Sequence, residues 1–179
     1  LHDELANDVH NAIAFAETQD LENPINKETL LENLDTIYIR ARNISSENKD
    51  IDTGENYIEK LKAMIASYDT NDVNVILNIS SFDRNHTNKE IKITIYRVLQ
   101  ELMVNMKKHS HCSIVSIGFK YKKKTIEINY SDNGIGCSNL LKLKNGLQNV
   151  ETRIFSINGT INFDTEPEKG FKVKIRIPK

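Results

Sequence analysis

The apolar residues of the first 44 positions recur every four places, and those after residue 70 do not. No other feature of the sequence constrains the fold as much as this change of period. Leu1, Leu5, Val9 and Ile13, with Ala6, Ala12 and Ala16 beside them, make one apolar face of a helix running to about Glu17. The stretch Gln19-Asp20-Leu21-Glu22-Asn23-Pro24 is expected to break it, because Pro24 biases Asn23 away from the helical region. A second helix is predicted from about Lys27 to Ile44, with Leu30, Leu34, Ile37, Tyr38, Ala41 and Ile44 on one side. Two antiparallel helices cannot bury such stripes alone, so residues 1–48 are expected to form a hairpin that dimerises into a four-helix bundle. The polar run that follows from Ser45 to Gly54 reads as the connection, with residues 49–54 as the linker proper.

Beyond the linker the pattern becomes mixed. A helix is expected over about Glu55 to Tyr68, and a strand over Val73 to Ile79, where Val73, Val75, Leu77 and Ile79 alternate. A long helix follows from Glu90 to His109. Strands from Ile114 to Tyr121 and from Thr125 to Tyr130 are joined through Lys122-Lys123-Lys124. A loop containing glycine leads to a helix from about Leu147 to Ile157, and the chain closes with a hairpin, Thr160 to Phe163 and Lys172 to Ile177. Helices with a largely antiparallel or mixed sheet predict an α+β two-layer domain over residues 55–179.

Composition narrows the function. The 179 residues carry 24 Lys and Arg against 25 Asp and Glu, so no basic field points to nucleic acid and no cationic block to a membrane surface. Two cysteines, Cys112 and Cys137, are too few for a disulfide framework. No apolar run approaches the roughly 18 residues of a spanning helix. The chain opens inside a helical pattern without a start methionine. It therefore reads as a fragment of a longer protein, with any membrane helix expected in an upstream region.

Three clusters have the residue types of a ligand site. On the long helix Glu101, Asn105 and His109 are four apart and Lys108 is three beyond Asn105, so the four share a face opposite Ile91, Ile95, Leu99, Leu102 and Met106. An amide oxygen can ligate Mg²⁺ and an ammonium suits phosphate. At a strand end stands Ser131-Asp132-Asn133-Gly134-Ile135-Gly136, where a carboxylate can accept from an exocyclic amine and glycines let backbone approach a flat ligand. Gly146-Leu147-Gln148-Asn149 opens the next helix, and free N–H groups at a helix start favour anions. Taken singly, these are also a solvated helix face, an ordinary turn and a capped helix start. His109-Ser110-His111-Cys112 lacks the second cluster that a tetrahedral zinc site needs. His10 reads as a surface residue.

Their order and spacing carry a resemblance. Glu101-x-x-x-Asn105-x-x-Lys108-His109 resembles the N box of the histidine-kinase ATPase superfamily, Asp132-x-Gly134-x-Gly136 its first G box, and Gly146-Leu147-x-Asn149 its second. The resemblance covers about residues 55 to 179 and implies the Bergerat ATP-binding sandwich. By it, Asp132 would bind the adenine amino group, Asn105 would hold Mg²⁺, Glu101, Lys108 and His109 would line the nucleotide and its metal, and Cys137 to Asn145 would form a lid. The start, Leu1-His2-Asp3-Glu4-Leu5, resembles the H box of the sensor histidine kinases in which Asp directly follows the phosphoacceptor. That implies His2 as nucleophile toward the γ-phosphate, Asp3 as the base that orients it, and passage of the phosphoryl group to an aspartate of a response regulator. If Leu1 and Leu5 face the bundle, His2 and Asp3 lie toward solvent, within reach of a separate catalytic domain.

The sequence departs from the pattern at three places. Asn7 stands where this branch usually has the Gln that positions water for dephosphorylation. Lys144 stands where a further Gly is usual, and Phe171 where Thr is usual. Rival readings are a clamp-type ATPase of the same superfamily that forms no phosphoprotein, and a degenerate core serving as a dimeric scaffold. The H box speaks against the first, and intact Asn105, Asp132, Gly134 and Gly136 against the second.

Overall fold

The computed structural model describes residues 2–47, 51–79, 87–137 and 144–179. The chain divides into two compact units, residues 1–50 and 51–179. In the first, α1 (His2–Thr18) and α2 (Pro24–Glu47) pack on each other. The helical run is interrupted over residues 19–23 as expected, and Pro24 itself starts the next helix. Its missing N–H falls where no intrahelical partner exists, and its fixed φ suits the first helical residue. The side-chain oxygen of Asn23 accepts from the Ile25 N–H at 3.0 Å, and its carbonyl accepts from the Lys27 N–H at 3.1 Å. Asn23 thus caps α2, and the helix begins three residues before the expected Lys27. Ala12 is buried, whereas Ile13 is 52% exposed, Leu31 58% and Leu34 47%.

The second unit runs α3 (Tyr57–Ala66), β1 (Asn74–Ile79), α4 (Lys89–His109), β2 (Ile114–Tyr121), β3 (Thr125–Asp132), α5 (Lys144–Ser156), β4 (Thr160–Thr165) and β5 (Phe171–Pro178). Its sheet has the order β1-β2-β3-β5-β4, with β1 parallel to β2 and the other pairs antiparallel. This is the mixed α+β arrangement the element order predicts. Two-residue alternation sets the layers. Val115, Ile117 and Phe119 of β2, Ile126, Ile128 and Tyr130 of β3, and Val173, Ile175 and Ile177 of β5 are buried. Between them Ser116, Lys120, Asn129, Lys172, Lys174 and Arg176 are exposed.

Helix α4 supplies most of the opposing layer, burying Ile91, Ile95, Val98, Leu99, Leu102, Met103 and Met106. Asn88 caps its start by accepting from the Ile91 N–H at 2.8 Å, and Lys107, Lys108 and His109 occupy its last turn, where cations suit the helix dipole. Residues 51–54, expected as part of the linker, are tied to this unit. The Lys92 ammonium donates to the Thr53 carbonyl at 2.8 Å, Asp52 pairs with Lys60 at 3.2 Å, and Ile51 packs on the core.

Candidate functional site

The site grows out of the inward row of β3. Ile126, Ile128, Tyr130 and Asp132 alternate toward the helices, so the strand, expected to stop at Tyr130, carries a carboxylate at its last inward position. Across the sheet Asp132 stands opposite Val115 on β2 and Phe171 on β5. It is 6% exposed. Burying a carboxylate costs several kcal/mol unless hydrogen bonds offset it. Three donors do so here. The Tyr130 hydroxyl donates to Oδ2 at 2.8 Å, and the Gly134 and Phe171 N–H groups donate to Oδ1 at 2.9 and 3.3 Å.

The loop after Asp132 is held between the end of α4 and the β4–β5 turn. The Ser110 carbonyl accepts from the Ile135 N–H at 2.8 Å. A Cβ on Gly134 would lie 2.2 Å from that same carbonyl oxygen. Asn133 uses its side-chain oxygen to accept from the N–H groups of Ser113 and Ile114 at 3.0 and 2.9 Å. On the other side the Ile135 carbonyl accepts from the Glu168 N–H at 2.7 Å. The Thr165 hydroxyl accepts from the Cys137 N–H at 3.0 Å and donates to the Gly170 carbonyl at 2.8 Å. Gly136, at φ +63, has the Glu166 carbonyl oxygen 2.0 Å from where its Cβ would be. At both glycines neighbouring protein backbone occupies the space a Cβ would need.

This clamp fixes Asp132 relative to α4 and opens a cleft. Among the described residues its walls are Leu102, Met106, Leu147 and Phe171, and Asn105, His109, Tyr130, Asp132 and Gly136 reach it. A single carboxylate within apolar walls suits a flat ring bearing an amine. Asn105 is half-buried, and its amide offers a neutral hard oxygen. Among the described residues no group of three or more His, Cys, Asp or Glu could hold a metal ion. A cation beside Asn105 would take its remaining ligands from phosphate and water, which is the habit of Mg²⁺. The donor set fits that ion.

Of the other expected residues, Glu101 is half-buried and Lys108 exposed on α4, and Asn149 is half-buried on α5. Leu147 is buried in the cleft wall, and Gly146 lies within α5. Residues 138–143 of the expected lid lie outside the described residues. His2 and Asp3 open α1, with side chains outside the described residues, and Asn7 is exposed on the same helix. Sequence reasoning missed Ser110, Tyr130 and Gly170. The inward register of β3 was the available signal for Tyr130.

The family model for histidine kinase-, DNA gyrase B-, and HSP90-like ATPases matches residues 90–179. The oxygen sensor histidine kinase NreB of Staphylococcus carnosus (strain TM300) is 28% identical over 102 residues, covering 55% of this chain and 29% of that protein. The sensor histidine kinase ComP of Bacillus subtilis (strain 168) is 29% identical over 90 residues, covering 48% of this chain and 12% of that protein. The chain thus spans less than a third of the length of these relatives. Among solved structures, the Acinetobacter baumannii histidine kinase AdeS aligns with a TM-score of 0.55 at 15% identity, covering 98% of this chain and 96% of that one. The histidine kinase domain of the Erythrobacter litoralis EL346 blue-light activated histidine kinase aligns at 0.59 and 14%, covering 98% and 95%. These two likenesses are of fold. The family match takes in α4, both glycine clusters and the whole sheet after β1, and on that ground the chain belongs to the histidine kinase-, DNA gyrase B- and HSP90-like ATPase family.

Proposed function

We propose that this chain is the catalytic core of a sensor histidine kinase, which phosphorylates His2 from ATP and passes the phosphoryl group to an aspartate of a response regulator. The observation that carries the nucleotide part is the buried Asp132 carboxylate, held by three donors in a largely apolar cleft that Asn105 and His109 also reach. The kinase part is supported by the Leu1-His2-Asp3-Glu4-Leu5 motif and by relatives that are themselves sensor histidine kinases. In this reading Asp132 receives the adenine amine, and Leu102, Met106, Leu147 and Phe171 enclose the base. Asn105 holds Mg²⁺, which when bound neutralises charge on the phosphates. Incubation with γ-labelled ATP tests the reading. Label that survives alkali and is lost in acid is expected; hydrolysis of ATP without any labelled protein would remove the kinase assignment.

Base selectivity should favour ATP over GTP. Guanine places a carbonyl oxygen where adenine has its amine, and two acceptors facing each other in a buried site cost roughly 1–3 kcal/mol, about one to two decades of affinity. Calorimetry is expected to show that preference, and Asp132→Asn is expected to weaken ATP binding. Equal affinities for the two nucleotides would take Asp132 out of base recognition.

The helical pair is read as the dimer interface. Val9, Ile13, Leu31, Leu34 and Tyr38 are each more than a third exposed, an apolar surface that a four-helix bundle covers. Sedimentation equilibrium is expected to report a dimer, and removal of residues 1–50 a monomer. A dimer that persists after the deletion would place the interface elsewhere.

A further inference from the structure

Among the described residues the hydroxyl of Tyr130 is the one side-chain donor bonded to Asp132, and it comes from the same strand, two residues before the carboxylate. A carboxylate has about four acceptor positions on its two oxygens. Gly134 and Phe171 take both on Oδ1, and Tyr130 takes one on Oδ2. One acceptor position remains. The tyrosine cannot readily swing away, because its ring is 2% exposed and packs edge-on against Phe171, with centroids 6.5 Å apart, and Phe171 in turn packs on Phe163 at 5.9 Å.

We propose that Tyr130 is the specificity-determining partner of Asp132: by filling one acceptor position on Oδ2 it restricts the carboxylate to a single further donor. The inference rests on the reading of Asp132 as the base-recognition group. A 6-aminopurine needs only one acceptor, for one N–H of its amine. A guanine edge brings two adjacent donors, the N1–H and the 2-amino group, which together need two. With Tyr130 in place the second of these has nowhere to bond. An unsatisfied buried donor is a strong ground for rejection. Burial and then the charge of Asp132 push the Tyr130 phenol far above its ordinary value, so the hydroxyl keeps its proton and acts as a donor throughout the neutral range.

Calorimetric titration of the whole chain with ADP, GDP and IDP tests this. IDP presents the N1–H without the 2-amino group. In the unaltered protein GDP is expected to bind more weakly than IDP, because its 2-amino group is buried without an acceptor. In Tyr130→Phe the ADP-to-GDP preference is expected to fall by about tenfold, and GDP to gain over IDP. A merely structural role for the hydroxyl would weaken all three nucleotides together. Unchanged ratios in Tyr130→Phe therefore overturn the inference while leaving the nucleotide site standing. If that variant does not fold, the unaltered protein decides: GDP binding about tenfold or more tighter than IDP would show that Asp132 already accepts two donors, and would overturn it. No ADP binding at all, or ADP binding unmoved by Asp132→Asn, would overturn the base-recognition reading and this inference with it.

Discussion

His2→Gln is expected to abolish acid-labile labelling from γ-labelled ATP while leaving ATP binding unchanged. Imidazole is nucleophilic at neutral pH through its unprotonated nitrogen, and glutamine has no equivalent. The cleft is built from Leu102 through Phe171, in the unit spanning residues 51–179, whereas His2 belongs to the other unit. Nucleotide affinity should therefore not register the change. Asp3→Asn should bind ATP normally and transfer more slowly, by about 10²–10⁴-fold if a carboxylate base has its usual effect. His10→Gln, on the same helix without an adjoining aspartate, should change little. Retained labelling in His2→Gln would sink the assignment, and label found on His10 would mean that the wrong helical face was chosen.

The site was legible wherever a motif coincides with a regular period. Glu101, Asn105 and His109 could be placed on one helical face from spacing alone, because a helix repeats every 3.6 residues, and Asn105 and His109 do reach the cleft. Asp132 could be placed at a strand end because alternation runs through Ile126 and Ile128. Less was legible where one residue has two physical uses. Pro24 both closes off the helical run before it and serves as first residue of the helix after it, and only the Asn23 cap reveals the second use. Tyr130 looks like one more inward aromatic, and its hydroxyl matters only because Asp132 lies two residues further on the same face. The linker shows the same limit. Thr53 looks like loop sequence, yet its carbonyl satisfies the Lys92 ammonium, a contact 39 positions apart that no local pattern predicts.

The glycines show most clearly what a motif does not reveal, and Gly170 yields the largest expected effect on stability. Its φ is +73, and a Cβ there would lie 2.0 Å from the Asp132 carbonyl oxygen and 3.3 Å from the Cα of Asn133. Alanine at a left-handed position costs about 1–3 kcal/mol. Overpacking against backbone that cannot rotate away adds about 1–3 kcal/mol more. The sum, roughly 2–6 kcal/mol, should lower the thermal midpoint of this unit by about 10 °C or more. Relief of the clash requires the end of β3 to move, and that movement carries the Asp132 carboxylate off the hydroxyl of Tyr130 and the N–H of Phe171. ATP binding should therefore fall along with stability. Gly118 is the control. It lies within β2, with nothing within 4 Å of where a Cβ would stand. Gly118→Ala should be neutral or stabilise by about 0.4–1 kcal/mol, since alanine has less conformational freedom to lose on folding. Thermal melts of the two variants, each followed by ATP titration, decide the matter. If Gly170→Ala melts within about 2 °C of Gly118→Ala and binds ATP as well, Gly170 does not hold the close approach on which the geometry of Asp132 depends.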